Sequence, residues 1–229
     1  LGNLLYAGTG NNVLDGGAGS DTVTWAYGVT GVTGVTASLA SGTASGSGND
    51  TLIGIEHLIG SPNADRLTGD GNANRLSGDL GNDTLYGGGG ADTLTGGDGN
   101  DSYYIDQAGD VVSETNAAAA GGTDLVHTTL ASYTLGTHVE NGRILAAGDA
   151  NLTGNALNNL LYAGTGNNIL DGRAGSDTVT WAYGVIGAEG VIASLVAGSA
   201  SGGSGSDNFT GIEHLIGSPN ADSLTGDGN

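Results

Sequence analysis

The chain has 229 residues, a formal charge of −20, only four basic residues, no Cys, no Met and 47 Gly. With aromatics at 5% and hydrophobic residues at 37%, a large conventional core is excluded. The acidity argues against nucleic acid or anionic lipid as partners, the lack of Cys excludes disulfides and thiolate metal sites, and no apolar run is long enough to predict a membrane span.

Composition alone permits disorder, but the order of residues is periodic. From residue 7 the chain reads AGTGNNVLD and GGAGSDTVT, to Thr24. A spacer over 25–44 opens on Trp25-Ala26-Tyr27, and SGSGNDTLI follows over 45–53. Five blocks of nine then run without a gap over 60–104: GSPNADRLT, GDGNANRLS, GDLGNDTLY, GGGGADTLT and GGDGNDSYY. A second spacer over 105–156 alternates apolar and polar residues and contains GGTDLV (121–126), a shortened block.

A longer period is superposed. Leu1–Val29 matches Leu157–Val185 at 26 of 29 positions, and Gly54–Asn72 matches Gly211–Asn229 at 18 of 19. We therefore expect one large unit over 1–156 and part of a second over 157–229. No signal peptide or targeting tail is visible, and the chain opens and stops inside motifs, which predicts an excerpt of a longer protein.

The block has a physical reading. Early glycines permit positive φ and a tight turn with inward carbonyls. Residues seven to nine form a short strand with the eighth inward, because strand side chains alternate. The eighth position supplies Leu14, Val23, Leu52, Leu67, Leu76, Leu85, Leu94, Tyr103, Leu170, Val179, Phe209 and Leu224, apolar throughout. Two blocks then close one coil of 18 residues, with Asp65, Asp83 and Asp101 on one edge and Asn74 and Asp92 on the other. Carboxylates about 5 Å apart repel by on the order of 1 kcal/mol per pair even in water, and four basic residues cannot neutralise them. A divalent cation with oxygen ligands can. Calcium tolerates irregular oxygen shells, magnesium demands a stricter octahedron, and zinc would want His or Cys in the turns. Disorder without the ion and order with it are expected.

The blocks resemble the glycine-rich RTX (repeats-in-toxin) nonapeptide GGxGxDxUx, with U a large apolar residue; GGAGSDTVT (16–24) and GGDGNDSYY (96–104) fit throughout. The resemblance implies an all-β fold, a parallel β-roll or β-helix solenoid with several calcium ions at its Gly-rich turns. The implied carboxylate ligands are Asp21, Asp50, Asp65, Asp83, Asp92, Asp101, Asp177, Asp207 and Asp222. Backbone oxygens would come from the turns at Gly16, Gly19, Gly78, Gly81, Gly87, Gly90, Gly96 and Gly99. Asn12, Asn74 and Asn168 take the sixth position as weaker candidates, Arg173 replaces the second Gly of its block, and Ser61-Pro62 and Ser218-Pro219 alter their turns. Both spacers are expected to be β, and the one over 105–156 to continue the coiling with looser turns. Asp110 and Asp149, outside the glycine pattern, are expected to be incidental.

Catalytic motifs are not in view. Glu56-His57 and Glu213-His214 recur in GIEHLIG, but adjacent residues on a strand point to opposite faces, so we read them as structural. HExxH, GxSxG and Walker patterns are absent, and DGNANR (70–75) lacks the Gly and Glu of an EF-hand loop. Trp25 and Trp181 are expected in the core rather than as sugar platforms.

We expect no enzyme within this chain. The favoured function is a calcium-binding segment of a secreted bacterial structural or adhesive protein, part of an extracellular fibre or giant surface protein whose partners are calcium and further copies of itself. The alternative is an accessory or secretion module of a secreted protease, lipase or alginate epimerase. Ice binding is disfavoured because Arg66, Arg75, Asp15 and Tyr86 interrupt any outward Thr ladder. The resemblance implies export by a one-step bacterial secretion channel and folding outside the cell.

Overall fold

A computed structural model describes residues 1–27, 33–114, 121–184 and 187–228. Among these the fold is all-β, and no helix is long and apolar enough to cross a membrane. The contacts divide the chain into two compact units, Leu1–Asp124 and Leu125–Asn229, a division that falls inside the long sequence period.

In the first unit, consecutive strands of the blocks alternate between two parallel sheets. One holds Leu4–Tyr6, Thr22–Thr24, His57–Ile59, Arg75–Leu80, Thr93–Asp98 and Val111–Val112, in that order. The other includes Arg66–Thr68, Thr84–Tyr86 and Ser102–Ile105. Leu67 pairs with Leu85 and Leu85 with Tyr103, while Leu58 pairs with Leu76 and Leu76 with Leu94. Each step advances the chain by 18 residues, the length of two blocks.

This register puts every eighth position on the inner face. Leu67, Leu85, Leu94 and Tyr103 are fully buried, as are Val23, Leu170 and Val179; Leu224, on the strand Ser223–Thr225, is 43% exposed. Burying a Leu side chain contributes about 1.5–3 kcal/mol, so a thin core built from one residue per strand still accumulates. Backbone approaches are close at the corners: Gly99 has φ +131°, and a Cβ there would strike the carbonyl oxygen of Gly81, itself at φ +115°. Only glycine fits both conformation and gap.

Over 36–53 the chain leaves the parallel coil. Thr36–Ser38, Thr43–Ser45 and Asn49–Ile53 form an antiparallel meander. Its outer strands then pair parallel to Arg66–Thr68 and Val13–Asp15. The links 39–42 and 46–48 are short enough only for hairpins, since a parallel return needs a crossover of a dozen residues or more. The second unit repeats the device with Val191–Ser194, Ser199–Gly202 and Gly205–Thr210. Described residues of the 105–156 spacer do behave as expected: Leu125–Thr128 pairs parallel to Asn141–Ile144, and Ser132–Thr134 to Asn151–Thr153. Steps of 16 and 19 residues replace 18, as Leu125↔Asn141 and Ser132↔Asn151 show.

Candidate metal centres

Each corner sets a sixth-position side chain against the backbone one level away. The backbone N–H of Asp65 donates to Oδ1 of Asp83 at 2.7 Å, that of Asp83 to Asp101 at 2.7 Å, and that of Asp101 to Asp124 at 2.8 Å. On the other edge, Asn74 N–H donates to Asp92 Oδ1 at 2.8 Å and Asp92 N–H to Asp110 Oδ1 at 3.1 Å. The two predicted columns are therefore present, and both extend further than the pattern indicated. Asp110 is not incidental: it is 8% exposed and occupies the next level of its column. Asp124, in the shortened GGTDLV, was missed as a column member although its preceding glycines signalled it. Asp149 is different, being exposed, although its Oδ1 accepts the N–H of Asn167 at 2.7 Å.

One oxygen of each column Asp is thus used by the backbone. The second oxygen divides the set. Oδ2 of Asp21, Asp83, Asp92, Asp101 and Asp177 is sealed from solvent and has no hydrogen-bond partner. A buried carboxylate oxygen left so is costly unless a cation sits against it. Burial pushes the Asp83 carboxyl up to about 8, with Asp101, Asp65 and Asp79 adding repulsion. Burial and nearby Asp98 push Asp101 up to about 6. Burial also raises Asp92 and Asp177.

Backbone oxygens converge on the same places. A Cβ built on Gly78 would strike Oδ2 of Asp83 and lie 2.7 Å from the carbonyl oxygen of Gly96. At Gly96 and Gly87 it would strike Oδ2 of Asp101 and of Asp92. At Gly16 it would lie 2.8 Å from Cγ of Asp21. The fourth-position glycines Gly19, Gly81, Gly90 and Gly99 all have positive φ, from +114° to +148°. Arg173, in a second-position slot, adopts φ +70° despite its side chain. Among the described residues no three His, Asp or Glu side chains gather as a metal cluster. Any ion here would be held by carboxylates together with turn carbonyls, an oxygen set that suits calcium.

The remaining predicted residues are satisfied by protein donors. Ser61 gives its N–H to Asp65 Oδ2 at 2.5 Å and its hydroxyl to Oδ1 at 2.8 Å; Ser218 does the same for Asp222 at 2.8 and 2.7 Å. Oδ2 of Asp50 accepts the indole N–H of Trp25 at 3.2 Å, and Oδ2 of Asp207 that of Trp181 at 2.7 Å. Both Trp are completely buried, as expected of core aromatics. Oδ1 of Asp50 and Oδ1 of Asp207 keep the column contact, accepting the N–H of Asn12 and of Asn168 at 2.9 Å across the inserted meanders. The amide nitrogens of Asn12 and Asn168 face turn carbonyls, those of Gly8 and Gly10 and of Gly164 and Gly166, and that of Asn74 faces the carbonyl of Glu56.

His57 does not form a catalytic dyad with Ser20. Its Nε2 lies 2.7 Å from Ser20 Oγ, but its Nδ1 accepts the backbone N–H of Arg75 at 3.0 Å. Nε2 then carries the proton and cannot take one from the serine.

The family model of the RTX calcium-binding nonapeptide repeat matches this chain four times, over residues 2–24, 53–85, 68–103 and 146–180. No curated protein matches it.

Proposed function

The repeats of this chain are RTX calcium-binding nonapeptide repeats, a kind typical of secreted bacterial proteins, and from that premise we propose that it is a parallel β-roll segment of an extracellular structural or adhesive protein, held in shape by calcium at its corners. The observation that carries the calcium reading is the set of five sealed, partnerless Oδ2 atoms at equivalent turn positions. Asp21, Asp83, Asp92, Asp101 and Asp177 would hold the ions, with carbonyls of turn glycines such as Gly96 completing the shells. Bound calcium supplies positive charge and oxygen coordination where the fold otherwise buries bare carboxylate. Asp50, Asp65, Asp207 and Asp222 are assigned a structural role, because Trp and Ser donors already occupy their oxygens. Asn12, Asn74 and Asn168 replace a cation with an amide: the NH₂ group draws the turn carbonyls together as an ion would.

The structural role rests on the long repeat. A period of 156–157 residues, with near-identical stretches at Leu1–Val29 and Leu157–Val185 and at Gly54–Asn72 and Gly211–Asn229, gives length and no evident chemistry, and repeat arrays gain stability by adding neighbours. Small-angle scattering on chains of two, three and four units in calcium tests it. The maximum dimension should grow by a constant step at constant cross-section. A compact particle with growing cross-section would favour the accessory-module alternative.

A further inference from the structure

We infer that Glu56 and Glu213, which lie outside the nonapeptide blocks, are calcium ligands that close the sites of Asp21 and Asp177. The inference rests on the calcium reading of the turns given above. In an ordinary corner the level above supplies a first-position glycine carbonyl and, five residues later, the sixth-position Asp. In GIEH the acidic residue comes only two positions after the glycine, Glu56 after Gly54 and Glu213 after Gly211. This corner is shorter, and its acidic side chain is longer by one methylene.

The shortened corner still fills the same role. Oε2 of Glu56 accepts the backbone N–H of Asp21 at 2.8 Å, and Oε2 of Glu213 that of Asp177 at 2.8 Å. This is the contact that Asp101 makes with Asp83 through Oδ1. The backbone confirms the register: the N–H groups of Glu56 and His57 both donate to the Asp21 carbonyl, and those of Glu213 and His214 to the Asp177 carbonyl. The glycine carbonyl is also in place. A Cβ on Gly172 would strike the carbonyl oxygen of Gly211 and lie 2.6 Å from Asp177 Oδ2. On Gly16 it would strike the Gly54 carbonyl and lie 2.8 Å from Asp21 Cγ.

An acidic pair alone would say nothing about a ligand. Here Asp21 and Asp177 are fully buried, each with an Oδ2 that meets no donor, and in each corner the Asp carboxyl and the glycine carbonyl oxygen flank the same glycine Cβ position. The same arrangement occurs in both units. Glu56 and Glu213 supply the second carboxylate, so a divalent cation at each place would be charge-balanced. Sequence patterning overlooked them because the spacing of the block is broken.

The test is calcium stoichiometry by titration calorimetry on the whole chain and on the double variant E56Q/E213Q. Glutamine keeps an oxygen to accept the Asp N–H but removes the charge. Two fewer ions per chain are expected, with the remaining sites unchanged and circular dichroism in saturating calcium preserved. Adding D21N and D177N to that variant should remove no further ions. An unchanged stoichiometry and affinity in E56Q/E213Q overturns the inference. Should the variant not fold, anomalous scattering from crystals of the unaltered chain grown in calcium decides. A peak between Asp21 and Glu56 supports it; peaks at Asp83 and Asp101 with none at Asp21 overturn it. No bound calcium anywhere would instead overturn the calcium reading itself.

Discussion

The backbone N–H of Asp83 donates to Oδ1 of Asp101 at 2.7 Å, while Oδ2 of Asp83, sealed in the same corner, meets no donor at all. Each of these carboxylates thus uses one oxygen as a structural strut and keeps the other as an open ligand, for Asp101 Oδ2 is sealed and without a donor as well. The preceding member of the column, Asp65, departs from this division of labour because Ser61 donates to both of its oxygens.

That contrast gives the first prediction. Asp83→Asn should move the calcium midpoint for folding to higher concentration by on the order of tenfold, the effect of about 1.4 kcal/mol at one site. Asp65→Asn should leave the midpoint within about twofold while lowering stability in saturating calcium, since it disturbs hydrogen bonds rather than a metal site. Circular dichroism during calcium titration reads both, and equal midpoint shifts would contradict the division.

Asp110 provides the second. Its place under Asp92 predicts that Asp110→Ala shifts the calcium midpoint or lowers stability by about 1–3 kcal/mol, because the Asp92 N–H is left unpaired. Asp149→Ala, at an exposed position, should cost less than about 0.5 kcal/mol. Denaturant titration in calcium compares them.

The third concerns acid. A carboxyl whose folded pKa is raised holds its proton more tightly folded than unfolded. The stability it gives is complete below the ordinary value near 4 and is lost as pH rises through the folded value. For Asp83 that value is about 8 and for Asp101 about 6. In chelator, therefore, β-structure should increase as pH falls from 8 toward 5, and calcium added near pH 6 should release protons. Less β-structure at pH 5 than at pH 8 would contradict this.

Trp181 gives the fourth. Trp181→Phe keeps most of the buried ring but removes the shorter of the two hydrogen bonds to Asp207 Oδ2, leaving the Ser204 hydroxyl at 3.4 Å. A hydrogen bond to a charged group contributes about 1.5–3 kcal/mol, so denaturation in saturating calcium should show a loss of that size with the number of bound ions unchanged.

Much of this was legible in the sequence. A fixed glycine–aspartate phase dictated the 18-residue step, the inward eighth position and the two Asp columns, because strand alternation and turn geometry are local rules. What escaped notice lay where spacing breaks but space is conserved. Asp110 joins its column without a full glycine turn, and Glu56 reaches its place from a shortened corner. The meander over 36–53 kept the register of Asp50 against Asn12 across 38 residues, a long-range pairing that no nine-residue pattern encodes. Nor could the pattern separate open carboxylates from satisfied ones. That depends on donors such as the Trp25 indole, 25 residues from Asp50 in sequence.

The central claim is that calcium at the buried corner carboxylates makes this fold. Far-UV circular dichroism recorded in chelator at pH 8 and again through a calorimetrically followed calcium titration tests it most directly. The account predicts a coil spectrum in chelator that converts cooperatively to β-structure as several ions bind. An ordered β spectrum in chelator at that pH, unchanged by calcium, would contradict it.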